Sequence, residues 1–561
     1  MRSTSLSRIT TWWLGSLTLV GALGYGFALP APHTHRHPAS LTQPTATPKP
    51  AVSTETQPTI TGLRIEPSTI TLQGGDARQQ IVVMAQLPGG EEHDVTPWAH
   101  LTLTPAGKVT LSPHNVLLPQ ADGLAHVIAR FGGKRAAAAI TVTDSAKTRP
   151  VSFTNDVVPM FSKVGCNGGG CHGAAVGQNG FKLSLRGFDP AFDFEQIVKD
   201  GAGHRVDAQH PENSMVFRKP SGADPHGGGL RLPAGSPERS ILLRWLKEGM
   251  APPDDKITLT GISVSPGEKV LDRPGLVQQL IVTAHYSDGT GRDVTGMARY
   301  SSNDDNVASV TDNGQVTSRS GGEAAIMVSY GGQVEAPRMM IPLGKTAVNK
   351  SEWAVNNFID DAVWDKLRIL RIHPSGLCTD SEFLRRATLD ITGALPTREA
   401  VEAFAQDRSP DKRAKLVDTL LARPEFVDFR TLKLADMLRI NGNLIRPEGA
   451  EVYYHWLHEQ VAANTGWDKM VRDLLESRGS TFHNGPANYY RVVSDPAELA
   501  ETTSETFLGV RMQCARCHNH PFERWTQNDY YGFAAYFARV GQKPGDERDE
   551  EQVFVRLAGE V

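Results

Sequence analysis

Residues 59–72 read TITGLRIEPSTITL, and residues 258–271 read TLTGISVSPGEKVL. Both open on Thr-x-Thr-Gly, alternate apolar with polar residues, and meet a proline at the same offset. Period-two alternation marks a strand with one buried face. The echo continues. IVVMAQLPGGEEHDVT (81–96) pairs with LIVTAHYSDGTGRDVT (280–295), and LAHVIARFGG (124–133) pairs with EAAIMVSYGG (323–332). Gly-Gly and Asp-Gly pairs between the runs supply the positive φ that tight hairpins require. Self-similarity of this kind predicts two copies of one small antiparallel sandwich, over 59–146 and 258–345.

The chain has 561 residues, too long for one core, and the length prior suggests roughly three to five domains. A net charge of −4, with both signs interspersed, gives no electrostatic reason to expect nucleic acid or an anionic membrane as partner. Arg2 and Arg8 precede an uncharged apolar run, Ile9 to Leu29, which reads as a signal peptide or an uncleaved N-terminal anchor over 1–29. Either reading exports the rest of the chain. Residues 30–58, rich in Pro, Thr and Ala, read as a disordered linker, and His33, His35 and His37 as part of its composition.

Between the two repeats, 151–255 has a different character. It opens with FTNDVVPMFSKVGCNGGGCHG, a short helix running into two cysteines and a histidine. It closes with PERSILLRWLKEGMAPP, where Pro237 suits a first helical turn after Ser236 and Ile241, Leu242, Trp245 and Leu246 share a face. From 350 onward the pattern turns helical. Thr379 to Glu382 forms a capping box, and Ser409-Pro410, Arg423-Pro424 and Asp495-Pro496 read as helix starts. The run 497–512 reads as one helix leading into the second cysteine motif.

Four of five cysteines fall into two close pairs, each followed at once by histidine: Cys166, Cys171, His172 and Cys514, Cys517, His518. In C-x-x-C-H the thiols add across haem vinyl groups and the histidine reaches the iron as proximal ligand. Zinc and an empty disulfide compete at the second motif: Cys514, Cys517, His518 and His520 offer four donors to zinc, although no partner pair stands elsewhere in the chain. A disulfide competes at the first, where three glycines and an asparagine separate the cysteines; those glycines permit a compact bulge. The sixth-ligand candidates at the first motif are His204, His210, Met215, His226 and Met250. His226, in the loop PHGGG, is preferred and Met215 is the runner-up. At the second motif only His455, His458 and His483 come into question; an open iron there would favour peroxide or oxygen chemistry. Cys378, before a capping box, reads as a buried structural cysteine. His520, Pro521, Trp525 and Asp529 either cap and pack the last helix or border a cofactor.

The repeats resemble group 2 bacterial Ig-like domains, which implies spacer or adhesive modules on an exported protein. Residues 153–190 with the later PHGGG resemble the cytochrome-like segment of large secreted planctomycete-type proteins. EFLRRATLDITGALPT (382–397) and TTSETFLGVRMQCARCHNHPFERWTQNDYYGFAAYF (502–537) resemble the helical domain of unknown function that accompanies it. The resemblance implies c-type haem on both Cys–Cys–His motifs and a further C-terminal domain beyond 561.

The expected fold is multidomain. It has two all-β Ig-like sandwiches, one small α-helical cytochrome c-like domain (151–255), and one larger, mainly α-helical C-terminal domain (350–561). The expected function is electron transfer at the cell envelope by a c-type cytochrome with two covalent haems. Cys166, Cys171, Cys514 and Cys517 would be thioethers, His172 and His518 proximal ligands, and His226 distal. Its partners would be envelope redox proteins. The Ig-like domains would meet cell-wall polysaccharide, and the membrane would be met only through an uncleaved leader. A haem peroxidase or oxidase acting on an envelope polymer is the alternative, and a surface adhesion or scaffold protein with structural Cys/His clusters is the second.

Overall fold

The computed structural model describes residues 59–254, 256–349, 355–520 and 523–559. The leader and linker readings, and Pro521, lie outside the described residues.

The echoing runs become strands. The first β unit contains β1 (Gly62–Glu66), β2 (Thr69–Gln73), β3 (Gln79–Gln80), β4 (Val82–Gln86), β5 (Glu92–Asp94), β6 (His100–Thr104), β7 (Val109–Leu111), β8 (Val116–Pro119), β9 (Gly123–Phe131) and β10 (Lys134–Thr143). Its sheets have the orders β1-β4-β5, β2-β10-β9-β6 and β3-β8-β7. Alternation sets the inner face: in β9, Ala125, Val127 and Ala129 are buried while their neighbours point outward.

The intervening segment carries α1 (Val158–Lys163), α2 (Pro190–Phe194), α3 (Met215–Arg218) and α4 (Pro237–Lys247). Ser236 caps α4 by accepting the Arg239 N–H, with Pro237 at the first turn.

The second β unit follows, with β11 (Leu259–Ser265), β12 (Glu268–Val270), β13 (Val277–Gln279), β14 (Ile281–Tyr286), β15 (Gly291–Asp293), β16 (Arg299–Ser302), β17 (Ala308–Val310), β18 (Gln315–Ser318), β19 (Gly322–Tyr330), β20 (Gln333–Glu335) and β21 (Arg338–Ile341). Its orders, β11-β14-β15, β12-β21-β19-β16 and β13-β18-β17, reproduce those of the first unit strand for strand, with β20 added beside β19. The expectation of purely antiparallel pairing needs correcting. β2 runs parallel to β10, and β12 runs parallel to β21. Pro67 and Pro266, which lack an N–H, interrupt pairing after β1 and β11, and the chain crosses there to the other sheet.

The C-terminal region holds α5 (Phe358–Leu370), α6 (Asp380–Thr392), α7 (Arg398–Gln406), α8 (Lys412–Leu421), α9 (Pro424–Met437), α10 (Gly442–Ile445), α11 (Pro447–Ala462) and α12 (Trp467–Leu475), then β22 (Gly479–Ser480), α13 (Tyr489–Val492), α14 (Pro496–Thr503), α15 (Gln527–Ala534), β23 (Val540–Pro544) and β24 (Glu551–Val555). Thr379 and Glu382 make the expected capping box. Pro424 and Pro496 open α9 and α14, but Pro410 lies in the turn before α8. The run 497–512 is not one helix: after α14 it widens into a π-turn (Ser504–Leu508) and ends at Gly509, whose φ of +67° is left-handed. The antiparallel sheet β22-β24-β23 was not anticipated. No helix among the described residues is long and apolar enough to cross a membrane.

The first β unit and the C-terminal helices have their own cores. The segment 151–250 does not stand alone: its Phe153, Phe194 and Trp245 join one continuous core with Val282, Ile326 and Val328 of the second β unit. The Tyr330 hydroxyl donates to the Asn155 carbonyl at 2.7 Å, and Lys163 Nζ donates to the Ala298 carbonyl at 2.7 Å. The loop bearing the first motif is therefore mounted on a β framework.

Candidate cofactor site

The Cys166–His172 loop folds back on itself. The N–H of Cys171 donates to the Gly168 carbonyl at 2.9 Å, and that of His172 to the Cys166 carbonyl at 3.0 Å. The four residues between the cysteines thus form a tight bulge that brings His172 back beside Cys166. Gly173 is required by close approach, since a Cβ there would lie 2.1 Å from the Asn167 carbonyl oxygen. Cys166 and Cys171 are both free thiols, so the disulfide alternative is not realised. Burial pushes the Cys166 thiol up to about 12, against the partial offset of Arg231, and keeps it neutral.

His172 faces a cleft of ≈850 Å³, open mouth included, walled by Phe161, Leu183 and Phe181. The His172 Nδ1–H donates to the Phe181 carbonyl at 3.1 Å, which leaves Nε2 as an acceptor. Burial first, then the charges of His226, Arg205 and Lys219, hold its pKa below the ordinary value, while the Phe181 contact opposes them.

His226 enters the same cleft from the PHGGG loop. Its Nδ1–H donates to the Gly229 carbonyl at 2.9 Å, so its Nε2 is likewise an acceptor. The two imidazoles lie 6.3 Å apart between centroids with their planes 11° from parallel. His204 and Met215 also line the cleft. His210 instead lies 3.8 Å from Asp207 on the surface, and Met250 packs against the core beside α4. Neither Phe181 nor Gly229 was singled out from the sequence. Both act through backbone carbonyls, which carry no residue-type signal.

The second motif lies on a 3₁₀ turn (Met512–Arg516) with Cys517 just beyond it. Met512 and Ala515 are buried against Ala497 and Tyr530, which turns Cys514 and Cys517 outward as exposed free thiols. The Arg516 carbonyl that ends the turn accepts from Gln527 Nε2 at 3.0 Å. The His518 Nδ1–H donates to the Asn519 carbonyl at 2.6 Å, again leaving Nε2 free to accept. His455 and His483 each lie 3.7 Å from a carboxylate, Glu451 and Glu547, and His458 bonds Asp428 at 3.1 Å.

Asp529 completes a capping box with Thr526 at the start of α15, and Trp525 packs beside it and donates to Glu523. Both residues therefore cap and pack α15. Cys378 is half-buried rather than buried, and its carbonyl accepts from Arg413.

Among the described residues, the ligand atoms of neither motif converge on a point that one ion could occupy. The group that does converge is Glu91, His93 and Asp272, an inter-unit ion pair beside Arg273 and Arg371. Dispersed donors disfavour the zinc reading, which needs four donors about 2.0–2.3 Å from one centre.

Residues 358–542 match the family described as PSCyt2, a protein of unknown function (DUF1549). The match includes Cys514, Cys517 and His518; the first motif lies outside it. No curated protein matches the chain. Among solved structures, the chain is similar to domains 1–6 of the surface layer protein SbsC, at 10% identity and a TM-score of 0.15, over 52% of this chain and 29% of that one. It is also similar to SbsC domains 5–6, at 10% identity and a TM-score of 0.21, over 51% and 99%. InvD of Yersinia pseudotuberculosis is similar at 13% identity and a TM-score of 0.10, over 52% and 60%. The chain thus covers less than a third of the first of these structures.

Proposed function

We propose that this chain is an exported c-type cytochrome that carries electrons at the cell envelope, with two covalently attached haems. The observation that carries the reading is the His172–His226 pair. The two rings stand 6.3 Å apart between centroids in near-parallel planes, and both keep Nε2 as an acceptor in the cleft, so both side chains would be available to hold a haem iron there. Both rings have their Nδ1–H anchored on a backbone carbonyl, which is how metal-ligating histidines are usually oriented.

In this reading Cys166 and Cys171 form the thioethers, His172 is the proximal ligand and His226 the distal one, with Met215 the runner-up. Haem supplies one-electron redox chemistry, and its potential is set by axial ligands, burial and nearby hydrogen bonds. The chain's own residues do the rest. Phe181 and Gly229 hold the two tautomers, and Phe161 and Leu183 keep water from the cleft wall. If both histidines hold the iron, the site would carry electrons rather than take a substrate. Cys514, Cys517 and His518 would hold the second haem, and the exposure of the two thiols suits exchange with envelope redox proteins. The two β units, read as Ig-like, form the support.

The test is a haem stain and pyridine haemochrome on the exported full chain. Two covalent haems are expected, one lost in C166A/C171A and the other in C514A/C517A. A folded chain without haem sinks the reading.

A further inference from the structure

A second pocket lies where three parts of the molecule meet, and the proposed electron carrier makes no use of it. Its ≈520 Å³, open mouth included, is bounded by Ser162, Leu185 and Arg186 of the first-motif segment, by Arg299 and the Tyr330–Gly332 turn of the second β unit, and by Asn519 and His520 beside the second motif. The hairpin tip reaches this junction because Gly331 and Gly332 both take positive φ, +55° and +83°, in a two-residue turn between β19 and β20. A Cβ on Gly332 would lie 3.2 Å from Asn519 Nδ2, so the turn and the second motif are in close contact.

The charge in this pocket is one-sided. Its lining contains two guanidiniums and no acidic residue. Among the described residues no carboxylate pairs with Arg186 or Arg299, whereas other half-buried arginines here, such as Arg149 and Arg218, hold bidentate carboxylate partners. Arg186 is half-buried, and burial together with the like charge of Arg299 holds it below its ordinary pKa. Two like charges side by side in a partly desolvated pocket are unfavourable unless a counter-charge joins them.

Arg186 also occupies a costly backbone position, φ +61° and ψ 18°, uncommon for a residue of this type. That position is held by its own N–H on the Asn167 carbonyl at 2.9 Å. The first-motif loop therefore fixes the arginine that faces the second motif.

We propose that this junction pocket binds an oxyanion between Arg186 and Arg299. Guanidinium groups present forked donors that match carboxylate, sulfate or phosphate oxygens. The oxyanion has two conceivable sources: the propionates of a haem on Cys514 and Cys517, or a soluble ligand such as the acidic group of an envelope polysaccharide. The shared chemistry is the same, and the site itself does not depend on haem being present.

The test is calorimetric titration of the full chain with inorganic sulfate at low ionic strength, where charge screening is weakest. The wild-type chain and C514A/C517A are compared, and R186Q and R299Q are each made in the C514A/C517A background. Saturable sulfate binding by C514A/C517A, weakened about 10-fold or more by either arginine substitution, is expected, as for loss of a hydrogen bond to a charged group. Sulfate binding by the wild-type chain as well assigns the site to a soluble oxyanion; binding by C514A/C517A alone assigns it to the propionates. No saturable binding by either form, or binding unchanged in both arginine variants, overturns the proposal. Because C514A/C517A lacks the second haem by construction, failure of the haem reading leaves this test intact.

Discussion

Asp94 accepts the backbone N–H of Gln279 at 2.6 Å, across 185 residues of sequence. The relation is returned: Asp293, the equivalent aspartate of the second β unit, accepts the backbone N–H of Gln80. Each aspartate also binds the Thr two residues on, whose hydroxyl accepts an N–H from the neighbouring strand, Val83 in one unit and Val282 in the other. The D-V-T repeat therefore has two tasks. One carboxylate oxygen closes its own turn, and the other docks the sister unit in a self-complementary contact like that of a two-fold dimer. Burial pushes both carboxyls above their ordinary pKa, against the pull of these hydrogen bonds.

Removing either carboxylate leaves buried N–H groups unpaired, at about 1–3 kcal/mol each. D94A and D293A are each expected to lower stability by about 2–4 kcal/mol, with a non-additive double variant because the two contacts share one interface. Hydrogen exchange gives the specific readout. The peptide containing Gln279 should lose protection in D94A, and the peptide containing Gln80 in D293A. Unchanged protection at the partner strand would refute the docking role.

Asp193 supplies a pH dependence in the first-motif segment. It is 2% exposed and accepts the Ser184 N–H at 2.5 Å and the Ser184 hydroxyl at 2.8 Å. Burial raises its pKa to about 7, despite these bonds. The native state therefore holds a proton that the unfolded chain releases near pH 4. The resulting stabilisation is complete below about pH 4 and is lost as pH rises to about 7; at about 1.36 kcal/mol per pH unit it amounts to at most about 4 kcal/mol. Denaturant midpoints of D193N should be flatter than wild type across this window. Parallel profiles would show that Asp193 does not titrate there.

The period-two runs, the Gly-Gly hairpins and the Thr379 capping box were legible because each is a local pattern with a local cause. The Asp94–Gln279 contact was not, because periodicity tells which face of a strand is buried but not what covers it. The same limit hid the core that Phe153 and Trp245 share with Val282 and Ile326, which makes the segment 151–250 continuous with the second β unit. His226 was legible from the loop PHGGG, whereas its orienting carbonyl at Gly229 was not. Arg186 was invisible for a different reason: its meaning lies in a left-handed backbone and a missing carboxylate, and neither leaves a mark in sequence.

Gly173 tests whether the bulge between Cys166 and Cys171 must be this tight. A Cβ there would lie 2.1 Å from the Asn167 carbonyl and 3.0 Å from that of Gly168, both backbone atoms with little room to move. G173A is expected to open the loop and displace His172 from Cys166. Haem content should fall from two per chain to one, with the remaining haem on Cys514 and Cys517. Retention of both haems would mean that attachment does not depend on the bulge.

Three side chains in the cleft compete to face His172: His226, His204 and Met215. The ring geometry singles out His226, since its plane is 11° from that of His172 and its Nδ1 is already committed to Gly229. His204 is tethered to the Gly201 carbonyl at 2.7 Å, and Met215 begins the short helix α3 with its side chain partly in solvent. H226A should convert the first haem from low to high spin, while H204A and M215L leave its spectrum unchanged. H226M should restore a low-spin spectrum at a higher reduction potential, because thioether in place of imidazole favours the reduced iron. A spectrum that changes in M215L but not in H226A would transfer the distal role to Met215, and the parallel imidazoles would then be a packing contact alone.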